Sequence, residues 1–328
     1  MAACGSGGMS NLYNNGIMKK IGIYLSFAVL SLSVGCGDWT QMEPVDQQPV
    51  RPSEQNPELW AQYTAALRAY KAGSHSLVVA SFENGSTNPT SEKDCLRSLP
   101  DSLDAVSLTN ADNFSAYDAE DLAVLKEKGT RVLYFVDYAA RSAEWADLAA
   151  LAAYLDRVVA RVRELGLDGF SFSGLPTYGD ETAQAAQQAV AALFMEKFGA
   201  VAGPDKPLAL FFEGDPQFLT ADQRAKVDYI VLDTRTTDNA SDLKLQVLRA
   251  LEMENVAADR LLLGAMTEYE FLDEEKTASD AISALALRIP ELGPLGGLCI
   301  YDVNTDYYGS EVVYAATRTA IQTLNPAK

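Results

Sequence analysis

Residues Leu165 to Pro176 of this 328-residue chain read as a strand that ends at a site. Asp168-Gly169 is a turn pair, and Phe170 and Phe172 then alternate with Ser171 and Ser173, the period-two signal of a strand. Pro176 cannot donate to a ladder and stops it. Alternation puts Ser171 and Ser173 on one face, with Leu175 next in the same phase. Carboxylates in those places would transfer protons at neutral pH. Serine ionises far too high to do so, and leucine has no proton to give.

Other polar and aromatic residues stand where further apolar runs end: Asn110, Tyr138, Tyr178, Glu213, Asp233, Arg235, Tyr269, Tyr301, Asp302 and Asn304. Flat aromatic surface beside planar hydrogen-bonding groups is what a sugar needs, so these are the candidate glycan-binding residues. Two of the acids, Glu213 and Asp302, are also candidates for a replacement catalytic pair; solvated loop carboxylates are the plainer reading. Asp302, Asn304 and Asp306 have the opening spacing of a calcium loop. Tyr307 occupies the place of the turn glycine and no glutamate closes the loop, so no metal is expected there. His75 is the only histidine, and Cys4, Cys36, Cys95 and Cys299 show no metal-ligand spacing. Neither a metal nor a cofactor is expected, and Cys95 and Cys299 read as two separate thiols, with a disulfide between them as the alternative.

The elements that would position these groups repeat along the chain. Apolar runs at 76–82, 103–109, 131–138, 167–173, 207–213, 227–234, 260–266 and 296–302 alternate with amphipathic stretches at 116–128, 142–164, 181–198, 241–254 and 277–288. Continuous apolar strands between helices imply a parallel sheet covered on both faces, and eight such repeats imply a closed (β/α)8 TIM barrel, of class α/β. An open doubly wound sheet fits less well, because residues 82–86 carry no glycine-rich phosphate loop after the first strand. Residues 58–72 place Leu59, Trp60, Tyr63, Leu67 and Tyr70 at helical spacing, a helix expected to pack under the barrel with Trp60 in its core.

The ends differ. Residues 1–35 read as an upstream extension and signal peptide: Met18-Lys19-Lys20 opens a basic region, Ile21 to Val34 is apolar but too short to span, and Gly35-Cys36 closes it. This closure resembles a bacterial lipoprotein cleavage site, which implies lipidation at Cys36 and anchoring in a membrane. Residues 36–57, rich in proline and glutamine, read as a tether, and 58–328 as the barrel domain. With 45 acidic and 26 basic residues, the net charge of −19 argues against a nucleic-acid partner.

The fourth strand resembles family 18 glycoside hydrolases, which carry Asp-Gly-x-Asp-x-Asp-x-Glu there, with a following proline in the endo-β-N-acetylglucosaminidase branch. Asp168, Gly169, Phe170, Phe172 and Pro176 match that frame; Ser171, Ser173 and Leu175 replace its three inner acids. In that family the Glu protonates the glycosidic oxygen while an Asp two residues earlier orients the substrate's acetamide. Here those places hold Leu175 and Ser173, so the family mechanism is not expected. On the sixth strand, Asp233-Thr234-Arg235 stands where related endoglycosidases often show Gln-x-Tyr. The resemblance, closest to endoglycosidase-like Bacteroidetes lipoproteins, implies a non-catalytic glycan-binding protein on the cell-surface side of the outer membrane. It would bind oligosaccharides with GlcNAc or mannose beside an importer complex. An active hydrolase with relocated acids and a scaffold that binds no sugar are the alternatives.

Overall fold

The computed structural model describes residues 51–326. The expected signal segment, Cys36 and the expected tether up to residue 50 lie outside them. Residues 51–56 fall outside the barrel unit, which begins at Pro57, and hold a one-turn helix, Pro52–Gln55, with proline in the first turn where its missing N–H costs nothing. The rest of the described chain, from Pro57, is a closed barrel of eight parallel strands with helices outside it, a (β/α)8 TIM barrel.

The barrel strands are Leu77–Phe82, Ala105–Leu108, Arg131–Val136, Gly169–Gly174, Ala209–Gly214, Tyr229–Leu232, Leu261–Met266 and Gly297–Tyr301. Each lies inside one of the eight apolar runs to within a residue. Pairing of Leu77–Ala80 with Gly297–Ile300 closes the ring. Successive side chains alternate between two cores. Val79, Ala105, Leu133, Phe211, Val231, Leu262 and Cys299 fill the interior. Val78, Val106, Val132, Phe170, Phe172 and Leu263 face outward under the helices. Both faces are dry, which is why the strands read as unbroken apolar runs.

Three aspartates set the register from below. Asp104, Asp168 and Asp228 each stand immediately before an even-numbered strand. Their carboxylates accept the backbone N–H of Val78, Val132 and Leu210 at 2.9, 2.9 and 2.8 Å. Each also donates its own N–H to the carbonyl of that same residue. Before the eighth strand the corresponding residue is Gly296, where a Cβ would lie 2.5 Å from the Asp259 carbonyl oxygen.

Full helices follow most strands: Ala116–Glu127, Leu148–Leu165, Glu181–Lys197, Ala240–Leu251, Ala281–Glu291 and Ala315–Leu324. Side chains of Ser115, Asp147, Asp180, Asn239 and Asp280 cap the N-termini of the first five. The third-strand connection is not one helix over 142–164, because Asp147 starts a new one after two short turns. A short antiparallel hairpin, Glu270–Leu272 with Ala278–Asp280, occupies the start of the 277–288 stretch. After the fifth strand the connection holds the 3-10 turn Pro216–Phe218 and the four-residue helix Ala221–Arg224, with no full helix.

Helix Pro57–Ala72 packs at the lower end beside Glu127–Thr130. Lys71 donates to the Thr130 hydroxyl at 2.7 Å and Arg68 to the Glu127 carbonyl. Its buried residues are Thr64 and Leu67. Trp60 is half-buried rather than core: its indole N–H donates to the Glu127 carboxylate at 2.8 Å, so the ring needs an edge position with polar access. Cys95 and Cys299 are separate buried thiols. Among the described residues no helix is long and apolar enough to cross a membrane.

Candidate functional site in the barrel mouth

The fourth strand aims its two serines into the barrel, and both hydroxyls are committed there. Ser171, fully buried, donates to Glu213 Oε1 at 2.5 Å. Ser173 donates to Asp137 Oδ1 at 2.6 Å and accepts the Ala139 N–H at 2.9 Å. Asp137 in turn caps the turn Tyr138–Arg141, so Ser173 helps fold the loop after strand three. Leu175 lies past the strand end and is 56 % exposed, an alkyl group in the solvent.

Glu213 is not a rim residue. The alternation Ala209, Phe211, Glu213 turns it inward, and it is 4 % exposed. Oε1 accepts the Ser107 and Ser171 hydroxyls, at 3.1 and 2.5 Å, and Oε2 accepts Tyr301 at 2.6 Å. Burial pushes its carboxyl above the usual glutamate range; the three hydroxyl donors and the Arg235 charge oppose that rise. Tyr301 is buried beside it and held well above the usual tyrosine value, by burial first and then by the Glu213 charge. Both were expected on the glycan-binding rim, and both lie beneath it.

Above Tyr301 sits Arg235, its guanidinium 4.6 Å from the ring centre. Arg235 also grips Asp233 through two bonds of 2.7 and 2.8 Å. Burial raises the Asp233 carboxyl, but these bonds and the Arg235 charge outweigh it and leave it below its ordinary value. The pair is partly exposed and presents a fixed planar group at the mouth.

The remaining sequence candidates divide. Asn110 donates to the Asn84 carbonyl and takes an N–H bond from Asn113, tying the first two loops together. Asn304 does the same between the first and last loops, bonding Glu83 and the Lys93 carbonyl. Tyr138 stacks on Trp145, with ring centres 5.9 Å apart, and meets Phe194 edge-on. These three hold the loops in shape. Tyr269 is half-buried, with its hydroxyl 3.4 Å from the Thr236 carbonyl. Asp302 is exposed in a left-handed turn (φ +55°), and burial plus nearby Glu83 and Glu268 raise its carboxyl. Tyr178 is 71 % exposed. Asp306, from the calcium-like spacing, is buried and caps the last helix through Thr317.

Sequence reading missed a polar wall. Gln184, Gln187 and Gln188 line a cavity of about 410 Å³ with Tyr178, Gln217, Arg224 and Met253. An adjoining cavity of about 320 Å³ shares Tyr178, Gln217 and Met253, and reaches Asp233, Gln246 and Arg249. The helical spacing of the three glutamines was a readable signal. Their partners across the gap were not, being remote in sequence.

The sequence model of glycoside hydrolase family 18, BT1044-like, matches residues 40–145. No curated protein matches the chain in sequence. Among solved structures, a BT1044 variant is 18 % identical, with 84 % of this chain and 96 % of that one covered and a TM-score of 0.65. An endo-β-N-acetylglucosaminidase from Cordyceps militaris is 19 % identical over 80 % of this chain and 95 % of its own, with a TM-score of 0.58. A chitinase from Bacteroides thetaiotaomicron is 12 % identical over 77 % and 97 %, with a TM-score of 0.54. At such identities the structural likeness shows the fold. The chain thus resembles family 18 in sequence over its first strands and in fold over the whole barrel.

Proposed function

We propose that this chain is a non-catalytic glycan-binding protein, with a barrel that resembles family 18 and a mouth that recognises sugar without cleaving it. The observation that carries the reading is the fate of three positions. Ser171 and Ser173 spend their hydroxyls inside the barrel, and Leu175 is an exposed alkyl group. None of the three transfers a proton near neutrality. What the mouth does offer is the planar Asp233–Arg235 pair, with Tyr269 and Asp302 also on the loops that follow the strands. Chitinases and an endo-β-N-acetylglucosaminidase are among the proteins whose fold it shares, which favours GlcNAc-containing oligosaccharides as ligands, with mannose-rich N-glycans next.

The chain would be lipidated at Cys36 and held at the outer membrane facing outward, supplying glycan to an importer complex. Loss of membrane fractionation in a Cys36→Ala variant, and protease accessibility on intact cells, test the anchoring. Titration calorimetry with chitotetraose and with a high-mannose N-glycan tests the binding. Arg235→Ala is expected to weaken it at least about tenfold, as removal of a bidentate planar contact does. Glu213 gives the rival hydrolase reading its one specific support, since burial raises its carboxyl in the direction a general acid requires. Sustained product release from either glycan, lost in Glu213→Gln, would replace binding with catalysis. Silence toward all glycans, with an importer protein co-purifying, would favour a scaffold.

A further inference from the structure

The ring of helices outside the barrel has a gap after strand five, as it has after strand one, where only short 3-10 turns follow. Between strands five and six the chain spends Asp215 to Asp228 on a loop with the 3-10 turn Pro216–Phe218 and the four-residue helix Ala221–Arg224, where a TIM barrel ordinarily places a full covering helix. Helices Glu181–Lys197 and Ala240–Leu251 flank the gap, and the two adjoining cavities occupy it. The second cavity touches Asp233, which ties the gap to the barrel mouth.

The gap is held open by internal bonds. Arg224 is buried and donates to the carbonyls of Pro216 at 3.1 Å, Glu254 at 2.9 Å and Leu219. Gln187 takes the Thr177 N–H on its oxygen and donates to the Phe218 carbonyl at 3.2 Å. Floor and wall are therefore fixed before any ligand arrives, which reduces the ordering cost of binding. The groups facing the opening are unspent. The amides of Gln184, Gln188 and Gln217 and the guanidinium of Arg249 are exposed and have no hydrogen-bond partner among the described residues. Tyr178 offers an exposed ring at the junction of the two cavities.

We infer that this gap is a second oligosaccharide subsite, which receives the part of an uncharged glycan chain that extends beyond the barrel mouth. Each free amide supplies donors and an acceptor in one plane, the pattern that matches vicinal hydroxyls. Tyr178 supplies the apolar face on which a pyranose ring stacks. The second cavity carries both Asp215 and Arg249, and its Asp233 is already paired with Arg235, so the lining has no excess charge and suits an uncharged chain. The subsite rests on the glycan-binding reading and deepens it by predicting a dependence on chain length.

The test is calorimetry of the full chain with chitotetraose and a high-mannose N-glycan, each paired with its disaccharide fragment. Tyr178→Ala, and separately the double variant Gln188→Ala with Gln217→Ala, are expected to raise Kd for the longer glycan about tenfold, with the fragment changed less than about twofold. All three residues are exposed, so melting temperatures should stay at the wild-type value. If the wild type binds and Arg235→Ala loses binding, while both groove variants bind the long glycan normally, the subsite is wrong and the binding function stands. If the wild type binds neither glycan, both readings fall together.

Discussion

The two ends of the fourth strand make opposite demands on sequence. At the lower end the backbone geometry tolerates one solution. Asp168 bonds Val132 in both directions, and a Cβ on Gly169 would lie 2.2 Å from the Ala209 carbonyl oxygen. At the upper end the side chains are held by polar partners rather than by a backbone contact: Ser171 and Ser173 are buried and bond the Glu213 and Asp137 carboxylates, and Leu175 is exposed. Within the strand and the residue before it, the positions that match the family frame, Asp168, Gly169, Phe170 and Phe172, are those the barrel itself needs. Phe170 and Phe172 belong with the lower end: they stack on Phe198 and Phe194, at 4.3 and 4.6 Å, and bury the outward face. A family-like frame on a strand therefore reports the fold, and the inward residues alone report the chemistry.

The sharpest way to break this contrast is Gly169→Ala. The added methyl meets backbone on the neighbouring strand, which cannot move without opening the barrel. Destabilisation of more than about 3 kcal/mol is expected, seen as a melting-temperature drop of roughly 10 °C or loss of soluble protein. A folded, normally stable variant would show that the lower end is as permissive as the upper.

Next in size is Ser171→Asp, which restores an inner acid of the family frame. The new carboxyl would face Glu213, which now takes the Ser171 hydroxyl. Two carboxyls in a buried space cannot both ionise, and a cost of about 2–3 kcal/mol is expected by denaturant unfolding. Adding Glu213→Ser should recover most of it, a coupling that a double-mutant cycle measures. No recovery would mean that Glu213 does not occupy the space of the missing acid.

Smaller effects compare single hydrogen bonds at the two ends. Asp168→Ala leaves a buried N–H of Val132 without its carboxylate partner and should cost about 1–3 kcal/mol. Asp228→Ala, which breaks the same arrangement, should match it, and Asp104→Ala should cost more, because Asp104 also bonds His75 Nε2 at 2.8 Å. Ser173→Ala, at the upper end, should cost about 1 kcal/mol or less. Equal losses at Asp168 and Ser173 would erase the distinction.

The fold was legible because dry strands leave an unmistakable pattern, and each of the eight apolar runs contains one barrel strand. The hairpin Glu270–Leu272 with Ala278–Asp280 left none, being short and mostly exposed. Helix Ala315–Leu324 was faint, since it buries small residues such as Thr317 and Ala320. At the site, the phase Ala209, Phe211, Glu213 already pointed the acid inward; its position at a strand end misplaced it on the rim. Asn110 and Asn304 could not be read as loop ties, because their partners Asn84 and Glu83 are distant in the chain. Sequence shows which residue types gather at a mouth, but not which have already spent their hydrogen bonds on one another.

Glu213 offers the smallest and most specific measurement. Burial holds its carboxyl above the ordinary value of 4.5, so across the window from 4.5 up to its raised value the folded state binds more protons than the unfolded one. Stability must then fall as pH rises through that window, and the contribution is complete only below it. Glu213→Gln keeps an oxygen for Ser107 and Ser171 and removes the titration. Thermal melts taken at intervals across this range should show a shallower decline for the variant than for the wild type. The raised carboxyls of Asp168 and Asp228 add the same slope to both proteins and cancel in the difference. Parallel curves would mean that the three hydroxyl donors and Arg235 already offset the burial of Glu213. The interior beneath the mouth would then hold a permanent negative charge, and its neighbours Tyr301 and Arg235 would be fixed by that charge at every pH the protein meets.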